Sequence, residues 1–161
     1  MNSDLIKMLA EQAQVEAEAR SAYLQLSFTA SRMGYDGIAK FFRKQAKEEG
    51  HHHRKFLRLL DEYADEMVQV PPIDAPETQA TSLLEAMTMA LEMECFVRDR
   101  INAITTCALQ CGSHEIVAWL GYFHEIQVES VKEFRTLVRQ FQEAEHDAGA
   151  LFALDKRLGK E

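Results

Sequence analysis

The sequence predicts an all-α protein: a bundle of four long helices with one long crossover and a short fifth helix at the carboxyl end. Apolar residues recur at helical spacing through nearly all of the 161 residues, and no alternating run typical of a strand is visible. All three prolines fall in one segment, 68–82, which divides the helices into two pairs. A chain of this length can bury one sizeable core, so we expect a single domain over residues 1–161.

The helix boundaries follow from capping residues and glycines. Ser3 or Asp4 is expected to cap the first helix, and Gly34 and Gly112 are placed to end the first and third. Short connections make each pair of helices antiparallel neighbours, while the proline segment is long enough to cross the bundle. We predict long helices at about 3–33, 36–66, 82–111 and 113–146, which form the bundle (about 3–146), and a fifth helix at about 149–158.

Composition narrows the classes of function. The net charge is −8 and the basic residues form no stripe, which argues against a nucleic-acid partner and suits a protein that meets cations. The start of the chain lacks the apolar stretch of a signal peptide, and no run approaches transmembrane length, so we expect a cytoplasmic protein with no membrane partner. Cys95, Cys107 and Cys111 complete neither a disulfide framework nor a zinc site, so we expect reduced, packed thiols.

The stretch QAKEEGHHHRKF at 45–56 places acids and histidines within an amphipathic helix. Because a helix advances about 100° per residue, Glu49 falls at the centre of the apolar stripe and His52 and His53 fall on either side. Glu48 and His51 fall off the stripe. The stripe of this second helix contains Phe42, Ala46, Phe56, Leu60 and Tyr63.

The other long helices also carry polar residues on their apolar stripes. Glu94 lies at the centre of the third stripe and Gln127 at the centre of the fourth, while Glu129 points away. The first stripe is less clear, and Glu18 lies at its border beside Gln14 and Gln25. The stripes contain, in order, Met8, Val15, Ala19, Ala22, Leu26 and Met33; Leu83, Met87, Ala90, Val97, Ile101, Thr105 and Ala108; and Ile116, Leu120, Phe123, Val131, Phe134, Val138 and Phe141.

These polar residues all lie near the midpoints of their helices, and midpoints meet at one level of a bundle. Burying three carboxylates together is costly because they repel and lose hydration. Arg98, one turn from Glu94, can neutralise only one of them. A bound metal pair supplies the missing positive charge, and oxygen and imidazole donors suit iron or manganese. The predicted metal ligands are Glu18, Glu49, His52, Glu94 and Gln127.

Each residue alone has a simpler interpretation. Glu94 can be a buried acid paired with Arg98, and Gln127 can be an ordinary hydrogen-bonding residue of the core. Glu143 and His146 repeat the i, i+3 spacing of Glu49 and His52, but they lie roughly 24 Å along the helix from the midpoint. We interpret them as the solvated end of the fourth helix.

At these residues the chain resembles bacterial non-haem ferritins over nearly its whole length. The resemblance rests on EARSAYLQLS, FFRKQAKEEGHH, ALEMECFVRDRI and WLGYFHEIQVESVKEF in the four helices, VQVPPIDAPE in the crossover and GALFALDKRLGKE at the end. It implies the ferritin-like four-helix bundle. It also implies a homo-oligomeric shell of 24 subunits, with the fifth helix lining the four-fold axes.

The resemblance further implies a ferroxidase that serves iron storage and detoxification. Two Fe(II) ions per subunit would react with dioxygen or peroxide, and ferric mineral would be stored in the shell. Glu49 would bridge the irons, with Glu18 and His52 on one, Glu94 on the other and Gln127 nearby. No haem is expected, because the methionine of the bacterioferritin site is missing from the second helix.

Departures from the family pattern concern groups around the irons. Counted from Glu18, the family's tyrosine seven residues later is Gln25. Ser130 and Ile126 stand where acids of an accessory third iron site are common. Glu48 would therefore lack the other ligands of that site, and we expect the site to be weak or absent.

Three rival classes fit the sequence less well. A rubrerythrin- or bacterioferritin-type enzyme needs a second Glu-x-x-His at the middle of the fourth helix, where Gln127 stands. A non-catalytic shell subunit is expected to lack several ligands. A metal-free helical module would leave the buried carboxylates uncompensated.

Overall fold

The computed structural model describes residues 1–75 and 77–161. These residues form five helices and no strand, which confirms the predicted all-α class. Pro76, one of the three prolines of the predicted crossover, lies outside the described residues. The second and fourth helices end three and two residues before their predicted ends. The helices are α1 (Ser3–Arg32), α2 (Asp36–Tyr63), α3 (Leu83–Gln110), α4 (His114–Ala144) and α5 (Ala148–Leu158).

The helices are arranged as two hairpins and a terminal helix. The first hairpin pairs α1 with α2 and the second pairs α3 with α4; α1 also packs against α3, and α5 packs against α2 and α4. Within the described ranges, no helix combines the length and apolar character needed to cross a membrane.

The helix ends follow local chemistry. Asn2, rather than Ser3 or Asp4, caps α1, because its side-chain oxygen accepts from the backbone N–H of Asp4 and of Leu5. Gly34 and Gly112 end α1 and α3 as predicted, with φ of 88° and 71°, a left-handed conformation that other residues rarely adopt.

Two apolar clusters fill the bundle, one toward each end. The first is centred on Tyr23, Phe42 and Phe134, and the second on Phe56 and Phe123. A polar layer lies between them and holds most of the buried polar side chains. The buried polar residues of the described chain are Gln12, Glu16, Ser27, Glu49, His52, Glu94 and Gln127.

The buried face of α1 differs from the predicted stripe. Met8 and Val15 are only half-buried and Met33 is exposed, and on α2 the predicted stripe residue Tyr63 is exposed as well. The true face follows a regular three- and four-residue spacing that brings Glu16, not Glu18, into the core. It contains Leu5, Leu9, Gln12, Glu16, Ala19, Tyr23, Leu26 and Ala30.

The three cysteines of the described residues are free thiols and form no disulfide, as predicted. Cys95 and Cys107 are half-buried, but Cys111 is exposed, so the expectation that all three are packed is wrong for Cys111. Its position at the C-cap of α3 places it outside the bundle core.

The short helix α5 is fastened to the start of α2. The N-cap residue Tyr35 offers no side-chain cap, and Asp155 replaces it by accepting a hydrogen bond from the backbone N–H of Ile38 at 2.8 Å. Gly37 permits this approach, because a Cβ there would collide with the carbonyl oxygen of Asp155. The Lys40 Nζ adds a hydrogen bond to the Gly159 carbonyl at 2.9 Å.

We expect Asp155→Ala to lower the free energy of unfolding by about 1 kcal/mol, the usual effect of losing a helix cap. Chemical denaturation measures this loss, and trypsin cleavage after Lys156 and Arg157 should accelerate as α5 detaches. The matched control, Asp155→Asn, keeps the acceptor oxygen. Equal stability of the two variants would contradict the capping role.

Candidate metal site

Three ligating side chains meet where α1 faces α2. One ligand atom from each of Glu16, Glu49 and His52 lies within 4.8 Å of the other two, and all three residues are buried. The His52 Nδ1 lies 3.2 Å from Glu49 Oε2 and 3.7 Å from Glu16 Oε2. The i, i+3 spacing of Glu49 and His52 puts both on one face of α2.

Glu94 enters the same layer from α3 and is held by two donors. The Tyr23 hydroxyl donates to Glu94 Oε1 at 2.5 Å, and Gln127 Nε2 donates to Glu94 Oε2 at 2.9 Å. The Tyr23 ring is itself fixed between Phe42 and Phe134, with ring centroids 6.1 and 6.0 Å away. Both oxygens of Glu94 are therefore satisfied and its orientation is set.

One oxygen of Glu16 lies within ion-pair distance of His52 but has no hydrogen-bond donor among the described residues. Gln12 Nε2 donates to Glu16 Oε1 at 2.7 Å, but Oε2 is buried and accepts no hydrogen bond from any described residue. An unpaired buried carboxylate oxygen is costly. It fits a ligand position for a cation, and the set of three carboxylates and one imidazole suits a hard or borderline divalent metal.

The pKa values of the cluster show how it balances its charge. Burial alone would lower the pKa of His52, but the neighbouring carboxylates of Glu16 and Glu49 raise it to about 10. Burial raises the pKa of Glu49 well above its usual value, and it raises that of Glu94 despite the hydrogen bonds from Tyr23 and Gln127. Burial would also raise the pKa of Glu16, but its interactions with His52, Glu49 and Gln12 outweigh this effect and lower the pKa.

Of the five predicted site residues, the structure brings four into this layer: Glu49, His52, Glu94 and Gln127. The fifth, Glu18, is outside it. Glu18 Oε1 accepts from Gln14 Nε2 at 2.9 Å and lies 3.4 Å from the backbone N of Asp74, under the crossover. Two residues correspond to about 200° around a helix, so Glu18 lies off the core face and Glu16 is the α1 glutamate in the buried cluster.

This shift of two residues also corrects the departure at Gln25. Counted from Glu16, the seventh residue is Tyr23, which contacts Glu94. Gln25 is exposed. The tyrosine that the resemblance implies is therefore present, and sequence reasoning missed it because it was counted from Glu18.

The residues that the sequence analysis placed outside the site do lie outside it. Glu129 is exposed, as are Glu143 and His146. The alternative pairing of Glu94 with Arg98 is wrong, because Arg98 Nη2 pairs with Asp99 Oδ1 at 2.9 Å on the surface.

Comparison with known proteins agrees with this geometry. Residues 6–144 match the family described as a ferritin-like domain, and the chain therefore belongs to that family. Membership of this family and the fold together support iron binding and a role in iron storage.

Individual relatives are similar over nearly the whole chain. A probable bacterial non-heme ferritin-like protein of Haemophilus influenzae is 28% identical over 99% of this chain and 96% of its own length. A bacterial non-heme ferritin of Staphylococcus aureus is 27% identical over 99% and 95%. An open-pore ferritin of the archaeon Archaeoglobus fulgidus shares the fold, with a TM-score of 0.95, 24% identity and coverage of 100% and 99%.

The two candidate glutamates of α1 can be separated by metal titration. We expect Glu16→Ala to weaken binding of Co(II), a spectroscopic probe for the site, by more than about 100-fold, since losing a ligand costs more than losing a supporting hydrogen bond. The control Glu18→Ala should bind as the wild type does. The reverse result would return the site to Glu18.

Metal binding should release protons, because the His52 pKa of about 10 means that His52 carries a proton at pH 7. Affinity should therefore rise with pH between neutrality and about 10. Calorimetric titration with Co(II) in two buffers of different ionisation enthalpy measures the number of protons released. His52→Gln should release fewer; a heat independent of buffer would contradict the protonated state.

Proposed function

We propose that this protein is a ferroxidase of an iron store, which oxidises Fe(II) to Fe(III) with dioxygen at a di-iron site within each subunit. The observation that carries the proposal is the unpaired Glu16 Oε2, buried within reach of Glu49 and His52. A metal-free core would gain nothing from three buried carboxylates and only one compensating imidazole. Family membership gives the metal as iron.

The buried residues divide naturally between two ions. In this proposal Glu16 and His52 bind one Fe(II), and Glu94 binds the other from the opposite hairpin. Glu49 is the bridging ligand of this proposal, because it clusters with Glu16 and His52 and is buried in the same layer as Glu94. Gln127 keeps Glu94 oriented toward the pair through its hydrogen bond.

Pairing the substrates allows a balanced two-electron step. Each Fe(II) gives one electron, and dioxygen takes two electrons and two protons to become hydrogen peroxide. The three carboxylates stabilise the higher charge of the ferric products more than that of the ferrous substrates. Protons displaced from His52 and its neighbouring carboxyls when iron binds are available close to the reacting oxygen.

Assembly into a hollow shell is the remaining part of the proposal. Several large apolar side chains are exposed on the single chain, which favours burial against further copies. A net charge of −8 per subunit would make a 24-subunit shell strongly attractive to Fe(II). The location in the cytoplasm stays a prediction. The exposed apolar residues include Phe28, Phe96, Val128 and Phe152.

The test is Fe(II) oxidation at two irons per subunit after oxygen is added. We expect a fast phase in the wild type that saturates at two irons and is lost in Glu49→Ala. The control Glu129→Ala removes an exposed carboxylate from α4 and should keep the fast phase. Equally slow oxidation by wild type and Glu49→Ala would overturn the ferroxidase proposal and leave a non-catalytic shell subunit.

A further inference from the structure

Gln12 is a fully buried amide one helical turn before Glu16, and its contacts extend to the surface. Its side chain is 0% exposed. Arg100 Nε on α3 donates to Gln12 Oε1 at 2.9 Å, and Gln12 Nε2 donates to Glu16 Oε1 at 2.7 Å. Arg100 is partly exposed, and its Nη2 lies 3.6 Å from Glu11 Oε2. A continuous chain of hydrogen bonds therefore runs from a surface guanidinium to a carboxylate of the metal site.

The chemistry of Arg100 determines the direction of this chain. A guanidinium can only donate hydrogen bonds, so the oxygen of the Gln12 amide must face Arg100. The amide nitrogen must then face Glu16. Without Arg100 the buried amide oxygen would lack a donor, so the amide could rotate toward another donor and lose its hydrogen bond to Glu16.

The hydrogen bonds from Arg100 through Gln12 involve only one of the two oxygens of Glu16. Oε1 is occupied by Gln12, whereas Oε2 is buried, unpaired and 3.7 Å from His52 Nδ1. A carboxylate held in this way presents a single oxygen to the site. Outer hydrogen bonds of this kind orient metal ligands and tune the affinity for the ion.

We propose that Gln12 and Arg100 are positioning residues that hold Glu16 as a one-oxygen ligand. The proposal rests on the metal site of the proposed function. A positioning role differs from a purely structural link between α1 and α3. It requires that loss of these hydrogen bonds change the coordination of the bound ion.

The experiment is a Co(II) titration of the full-length protein followed by visible absorption. Gln12→Leu should weaken Co(II) binding by about tenfold or more. It should also reduce the intensity of the cobalt band, because a released Glu16 can bind through both oxygens and raise the coordination number. Arg100→Gln should change affinity and spectrum in the same direction, and Arg100→Lys, which keeps a cationic donor, should stay closer to the wild type.

Two further variants separate positioning from loss of folding. Arg98→Gln removes a neighbouring arginine that pairs only with Asp99 in the structure, so its affinity and spectrum should match the wild type. The double variant Gln12→Leu with Arg100→Gln should bind Co(II) no more weakly than Gln12→Leu alone, because Gln12→Leu already breaks the series of hydrogen bonds between Arg100 and Glu16. Arg100→Gln alters a partly exposed side chain and tests the proposal even if Gln12→Leu does not fold.

The outcomes separate this inference from the proposed function. A cobalt band that depends on Glu49 but is unchanged in Gln12→Leu and Arg100→Gln overturns the positioning role alone. The positioning role is also overturned if the losses of Co(II) affinity in Gln12→Leu and Arg100→Gln add fully in the double variant. A wild type with no band that depends on Glu49 overturns the metal site and the positioning role with it.

Discussion

Repulsion among three buried carboxylates is the constraint on which this structure depends. Glu16, Glu49 and Glu94 lie in one layer between two apolar clusters, and among the described residues His52 is the single ionisable base buried with them. Charges in such a layer are poorly screened, so each carboxylate must be protonated, hydrogen-bonded or compensated by a cation. Apolar clusters that contain Phe42 and Phe134 on one side and Phe56 and Phe123 on the other flank the layer and keep it away from solvent.

The two hairpins meet this constraint in different ways. The second hairpin presents Glu94 with both oxygens already accepting hydrogen bonds, one of them from Tyr23 of α1. On the first hairpin, Glu16 keeps one oxygen unpaired, and Glu49 shares the His52 proton. Glu94 is therefore held in one orientation by its hydrogen bonds. The carboxylates of the first hairpin still lack compensating positive charge, which a divalent ion could supply.

The sequence predicted most of the fold because helical periodicity, two positive-φ glycines and one proline-rich crossover are local signals. It predicted Glu49, Glu94 and Gln127 for the layer because α2, α3 and α4 each bury one narrow stripe. It failed on α1, which packs against both α2 and α3. Small buried residues such as Ala13 and Ala17 spread around that helix, so hydrophobicity did not define the centre of its face. The bond from Arg100 to Gln12 joins residues 88 positions apart, and no local pattern indicates it.

The proton held between His52 and the carboxylates has a consequence for selectivity. A divalent ion bound at the proposed site would displace that proton and still add net positive charge to the layer. A monovalent cation such as Na⁺ or K⁺ merely replaces one unit charge with another and loses its own hydration. A divalent ion adds net charge to a layer that lacks it. At the proposed site, valence would therefore favour divalent over monovalent ions independently of ionic radius and coordination geometry.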